Sequence, residues 1–311
     1  MEKIRFLKNI MLYAAVAAGV VLLFVGGPGS YASRSAYHFW NLGHIILFSI
    51  LSYVVIKDVP VINRSGFWKQ LLIMFLLTAV IGIITEVVQG EYDRSPDIKD
   101  IVRDLIGSAI ALAFFIRSRQ MLAKPVLLIM QVLVFLAFVR ETYPLGRDLI
   151  DETIARSQFP ILADFETPFE TDRWLEKWRM ERDAEIARQG DYSVKAALIP
   201  AKYSGVSLRY FPSYWSGYNY LNFSIYNPDS DTLKIICRIH DREHNNAYSD
   251  RFKRAYMIRP GWNDIRIATE DIRTAPRNRR MDMHHIKSLV IFTVDLQVKR
   301  YIYLDDFHLT Q

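Results

Sequence analysis

The sequence predicts a multi-domain chain of mixed class: an all-α bundle of transmembrane helices, then an all-β sandwich or jelly roll. Three observations carry this. Residues up to about 140 hold long apolar runs, and a spanning helix needs about 20 mostly apolar residues. Residues from about 163 onward alternate polar and apolar in strand-length runs and hold most of the tyrosines. Asn-Pro, Pro-Gly and Ser-Gly breaks separate those runs, as tight turns require. The expected boundaries are 1–140 for about five helices, 141–161 for a polar linker that could hold a short helix between Pro144 and Pro160, and 162–311 for the jelly roll.

The helical elements come first. Four segments approach spanning length: Ile10–Gly27, His38–Ile56, Gln70–Gln89 and Ile101–Ile116. A fifth, Met121–Val139, carries Lys124 and Pro125 near its start, so it either spans or lies at the interface. Lys3, Arg5 and Lys8 before the first segment also fit a cleaved leader, which leaves the downstream topology unchanged. Positive residues concentrate in cytoplasmic loops. With the N-terminus inside, the inner ends hold Lys57, Arg64, Lys69, Arg117, Arg119 and Lys124. The outer loops hold only Arg34, Arg94, Lys99 and Arg103. Five spans then place the β half outside the cytoplasm, and four would place it inside.

Composition narrows the partners. The net charge of +6 is spread out, with no basic run interleaved with aromatics, which argues against nucleic acid. Cys237 is the only cysteine, so no intrachain disulfide forms. Neither a Gly-x-Ser-x-Gly, a phosphate loop nor a paired-Cys motif is present.

Polar residues recur at helical spacing among the apolar runs. Gly82, Glu86 and Gln89 share one face of the third helix. Asp97, Asp100 and Asp104 share a face entering the fourth, continued by Gly107 and Ala111. Asn41, His44, Phe48 and Ser52 form a stripe on the second. These positions pool near the outer helix ends, where Arg94 can offset part of the negative charge. Such a cluster suits a polar head group or a divalent cation. It equally suits a structural tie between helices with a dipole-favoured cap.

These residues resemble the VanZ-like family of small bacterial membrane proteins. The resemblance rests on "LGHIILFSILSYV", "TEVVQ" and "RSPDIKDIVRDLIG" and covers roughly residues 8–117. The matching positions are His44, Glu86, Gln89, Arg94, Asp100 and Gly107. Asn41 and Asp104 depart from the pattern, which has a basic residue and an asparagine there. The resemblance implies a multi-pass protein of the bacterial inner (cytoplasmic) membrane, contact with membrane lipid, and an association with glycopeptide tolerance. It implies no reaction.

The β elements follow. Strand-like runs include "YSVKAAL", "GVSLRYF", "YLNFSIYN", "LKIICRIHD", "FKRAYMI", "NDIRIA", "SLVIFTV" and "YIYLDDFHL". "RWLEKWRMERDAEIARQG" has helical composition where a sandwich wants a strand. The opening "DFE", then "GDYSVKAAL", "SGYNYLNFSIYNP", "RPGWNDIRI" and "IYLDDFHL", resemble the galactose-binding-like jelly rolls of carbohydrate-binding modules. In some relatives the first and last strands meet near a structural calcium, for which Asp164, Glu166 and Asp306 are oxygen ligands of the right type. Ordinary strand-end acids are the alternative.

Arg238–Arg254 is the densest polar stretch. Sugars need planar polar groups for hydroxyls and aromatic faces for C–H surfaces. His240, Asp241, His244 and Arg251 supply the first, and Trp215 and Tyr218 the second. A solvated loop with internal ion pairs is the alternative. His240 and His244 lack a third ligand for zinc. The expected function is an envelope membrane protein whose outer domain binds a glycan. An enzyme acting on a lipid-linked or envelope glycan, and an assembly protein whose jelly roll binds another protein, stay open.

Overall fold

The computed structural model describes residues 2–24, 27–29, 32–90 and 97–311. The chain divides into two units, Met1–Gly146 and Arg147–Gln311. The first is helical and the second is built from antiparallel sheets.

The helical unit contains α1 (Glu2–Phe24), α2 (Arg34–Asp58), α3 (Pro60–Asn63), α4 (Phe67–Gly90), α5 (Ile98–Ile110) and the start of α6 (Lys124–Gln158). Each start has a local cause where the cap is described. The Ser33 hydroxyl accepts the Ala36 N–H at 3.2 Å and begins α2. Asp97 accepts the Lys99 N–H at 3.0 Å and begins α5. Pro60 occupies the first turn of α3, where no donor is needed. A π turn, Ala111–Phe115, prolongs α5.

Three of these helices, α2, α4 and α6, are long and apolar enough to cross a membrane. The apolar helical run of α1, Asn9–Phe24, is shorter. The expected fourth span is the short amphipathic α5 with its π turn, and its buried side carries Arg103, Asp104, Gly107 and Ser108. In the expected linker the helix is longer than the short one allowed for: residues 141–158 continue α6, and Pro144 lies inside it.

Close packing of α2 on α5 depends on one glycine. A Cβ on Gly107 would lie 2.5 Å from the Ile45 carbonyl oxygen and 3.0 Å from the Ser49 nitrogen. Small residues let helix backbones approach in this way. Beside it, Ser52 donates to Ser108 at 2.8 Å, and Thr78 lies 2.7 Å from the same hydroxyl. This buried chain joins α2, α5 and α4.

The second unit contains β1 (Ile161–Ala163), β2 (Met180–Asp183), β3 (Ser193–Leu198), β4 (Ala201–Leu208), β5 (Tyr220–Asn227), β6 (Leu233–Asp241), β7 (Phe252–Ile258), β8 (Gly261–Ala268), the short helix α7 (Thr269–Arg273), β9 (Ile286–Leu296) and β10 (Arg300–Thr310). One sheet has the order β2-β3-β10-β5-β8, with β1 also on β10. The other has the order β4-β9-β6-β7. The pairing is antiparallel throughout, and non-consecutive neighbours give a jelly-roll-like sandwich. The ambiguous "RWLEKWRMERDAEIARQG" resolves into short 3₁₀ turns and β2, because the β3 edge offers a pairing partner.

The core between the sheets holds Phe165, Trp174, Trp215, Phe223 and Phe307, with aliphatic residues from every strand except β2. Phe223 stacks on Phe307 with ring centroids 5.0 Å apart. The last turns of α6 belong to this unit. Arg173 and Asp151 form a fully buried pair, with Nη2 to Oδ1 at 2.7 Å and Nε to Oδ1 at 3.0 Å. Arg173 Nη1 also donates to the Leu162 carbonyl at 3.0 Å. The guanidinium is therefore matched in charge and in hydrogen bonds, which a buried ion requires.

Candidate functional site

The helical cluster is described first. His44 of α2 lies with Nδ1 2.8 Å from Asp104 Oδ1 and Nε2 3.7 Å from Asp100 Oδ2, both on α5. Arg103 contacts Asp100 and donates from Nε to Glu141 Oε2 at 3.1 Å. Glu86 of α4 instead accepts the Asp97 N–H at 2.7 Å, just before α5. Gln89 donates to the Leu23 carbonyl at 2.7 Å and ties α4 to α1. The fold thus brings His44, Asp100 and Asp104 into direct contact, while Glu86 and Gln89 bond elsewhere. Arg94 lies outside the described residues. Each described member has a protein partner, and together they join the helices.

The sugar-binding set is divided by the fold. Trp215 is corrected: it is fully buried in the sandwich core, and its Nε1 donates to the Pro212 carbonyl at 3.2 Å. Tyr218 is half-buried, packs edge-on against Phe159, and lines a cleft of about 530 Å³ with Glu270, Arg273 and His284. Asp241 is also corrected. It is buried and bound by Arg279 through Nη2 to Oδ1 at 2.7 Å, and it accepts the Asp282 N–H at 2.7 Å. Neither Trp215 nor Asp241 has a surface left for a ligand.

His240, His244 and Arg251 do come together, on the outer side of the β4-β9-β6-β7 sheet. Alternation along the strands sets this face. Val206, Leu208, Ile235, Cys237, Ile239, Leu289 and Ile291 point into the core. Their neighbours point out. Across the strands, Gly205 opposes Phe292, which opposes Ile236, which opposes Ala255. The adjacent row runs Ser207, Val290, Arg238 and Lys253, and the next pairs Ser288 with His240. Gly205 is needed here, because a Cβ would come within 2.4 Å of Phe292 Cβ.

The β6–β7 loop extends this face. The Tyr248 hydroxyl lies 3.4 Å from that of Tyr203. Arg251 Cζ sits 4.1 Å above the Tyr248 ring, and Lys253 Nζ 5.1 Å from it. Tyr203 in turn leans on Phe292 with centroids 6.2 Å apart. Tyr203 and Tyr248 are well exposed. His240 packs against His244 at 4.6 Å, and His244 Nδ1 donates to the Asp250 carbonyl at 2.8 Å. The sequence reading missed Tyr203, Arg209 and Phe292. The alternation in "YSGVSLR" was the available signal for the first two, since it sets Tyr203, Gly205, Ser207 and Arg209 opposite the core residues.

The proposed calcium ligands are not assembled. Glu166 accepts the Asp191 and Tyr192 N–H groups at 2.9 and 3.0 Å, and Asp306 pairs with His308 at 2.9 Å. Asp164 accepts the Glu166 N–H at 3.4 Å and lies beside the Glu170 carboxyl. Among the described residues, no group of three or more His, Cys, Asp or Glu is arranged to hold a metal.

No family model matches the chain, and no curated protein matches it. Among solved structures, it is similar to a family 11 carbohydrate-binding module from Clostridium thermocellum in complex with a β-1,3-1,4-mixed-linked tetrasaccharide. That match has 14% identity, a TM-score of 0.37, and covers 48% of this chain and 94% of that one. A family 30 carbohydrate-binding module of a Clostridium thermocellum cellulosomal cellulase matches at 14% identity and TM-score 0.32, over 42% and 82% of the two chains. An exo-β-agarase matches at 14% identity and TM-score 0.38, over 48% of this chain and 24% of that one.

Proposed function

We propose that this chain is a multi-pass envelope membrane protein that holds a glycan-binding sandwich outside the cytoplasm. The observation that carries the reading is the outer face of the β4-β9-β6-β7 sheet. There Tyr203 and Tyr248 are exposed beside Phe292, and Arg238, His240 and Arg251 stand among them. Aromatic rings take the C–H surface of a sugar, and planar polar groups take its hydroxyls. Rigid amphipathic tyrosines supply such contact at low entropic cost.

The helical unit is the anchor in this reading. Its long apolar helices suit a bilayer, and the Lys and Arg asymmetry of its loops favours an inside N-terminus. The VanZ-like motif residues serve as the tie that holds the bundle, since His44, Glu86, Gln89, Asp100 and Asp104 bond to the protein itself. For the same reason the binding reading is preferred over an enzyme working at that cluster.

The test is glycan binding by the full-length protein in nanodiscs, across a panel of soluble polysaccharides. Tyr203→Ala and Tyr248→Ala should each weaken binding by about tenfold, a loss of about 1.4 kcal/mol. Trp178→Ala, an exposed tryptophan just before β2 of the other sheet, should not. Unchanged binding in both tyrosine variants, or none in the parent protein, would refute the reading.

A further inference from the structure

The arginines of the β unit fall into two groups. Several are matched to acids: Arg173 to Asp151, Arg188 to Asp264, Arg254 to Asp271, Arg279 to Asp241 and Asp250, and Arg300 to Asp229 and Asp231. Those on the outer face of the β4-β9-β6-β7 sheet are not. Among the described residues Arg209, Arg238, Arg251 and Lys253 form no ion pair with an acid. Arg238 Nε, Arg251 Nε and His240 Nδ1 are buried atoms with no hydrogen-bond partner in the protein. Arg238 and Arg251 are only part-buried, so their unpaired charge stays open to an acceptor supplied from outside.

From this we infer that the face takes an acidic glycan, a polymer whose carboxylate, sulfate or phosphate groups pair with Arg238 and Arg251 while its rings lie on Tyr248 and Tyr203. This rests on the glycan reading above and narrows its ligand class. Guanidinium groups bind planar oxyanions through parallel hydrogen bonds, and Arg251 is already oriented by its stack on Tyr248. The groups also repel one another in the free protein. Burial, with Arg251 and Arg209 nearby, lowers the basicity of Arg238. An anion on this face offsets the repulsion of Arg238 by Arg251 and Arg209.

The experiment uses the full-length protein in nanodiscs of zwitterionic lipid, with two probes sharing one backbone: polygalacturonate and its fully methyl-esterified form. The acidic form should bind at least about tenfold more tightly, and raising the salt from about 0.05 to about 0.5 M should erase most of that preference. Arg238→Gln and Arg251→Gln should each cost about tenfold more affinity for the acid than for the ester. Lys253→Gln, at an exposed position, should likewise weaken acid binding more than ester binding. Equal binding of acid and ester, or acid binding unchanged in all three variants, overturns the inference while the glycan reading stands. If neither polymer nor any other glycan binds, and only vesicles containing phosphatidylglycerol do, both fail.

Discussion

His240 illustrates how much a single side chain depends on its neighbours. Burial, helped by His244, Arg238 and Arg209, pushes its basicity down to about 3 from an ordinary 6.5. The unfolded chain therefore takes up a proton below about 6.5 that the folded chain refuses until about 3, so stability falls as the pH drops through that window. Melting of the full-length protein should show this acid loss, and His240→Gln should reduce it. Parallel pH profiles for the two proteins would refute the assignment. The buried Arg173–Asp151 pair makes the opposite kind of demand. Asp151→Ala strands a buried guanidinium and should cost about 3–5 kcal/mol, read as lowered thermal stability of the β unit. Residue types on this face were legible in the sequence, since His240, His244 and Arg251 were picked out by chemistry alone. Their exposure was less so. Trp215, between Pro212 and a Ser-Gly turn, has the composition of a surface loop, yet its ring fills the core.

The contact between α2 and α5 is set by Gly107, and it yields a contrast within one unit. Gly107→Ala places a methyl group 2.5 Å from the Ile45 carbonyl and should cost about 1–3 kcal/mol through forced separation of the helices. Gly43→Ala, with nothing within 4 Å, should be neutral or slightly stabilising by helix propensity. Thermal unfolding in detergent separates the two, and equal effects would contradict the packing described. Elements long in one period were legible: α2, α4 and the strands fall close to their apolar runs. The stretch 141–158 was legible only in part: it reads as a linker with room for a short helix after Pro144, not as a continuation of α6. Its helix survives because Asp148, Asp151 and Ala155 bury one side, which no local pattern reveals.

At the scale of the molecule, the change from apolar runs to alternating ones announces a helical part and a sheet part, and the fold follows it. The proposed binding face was only half visible, because strands far apart in sequence pair to bring Tyr203 and Phe292 beside the loop residue Tyr248. A glycan-binding face serves its purpose only on the side of the membrane where envelope polymers lie, so topology is the direct test. The chain supplies its own silent background: Cys237 is its only cysteine, it is fully buried, and burial pushes its thiol up. Val298→Cys and Arg64→Cys, both at exposed positions, are therefore readable one at a time with a membrane-impermeant maleimide on intact cells. Labelling of Val298→Cys on intact cells, with Arg64→Cys labelled only after permeabilisation, is the predicted result. Labelling of Arg64→Cys from outside, with Val298→Cys protected until the membrane is opened, would put the β unit in the cytoplasm and contradict the proposed function.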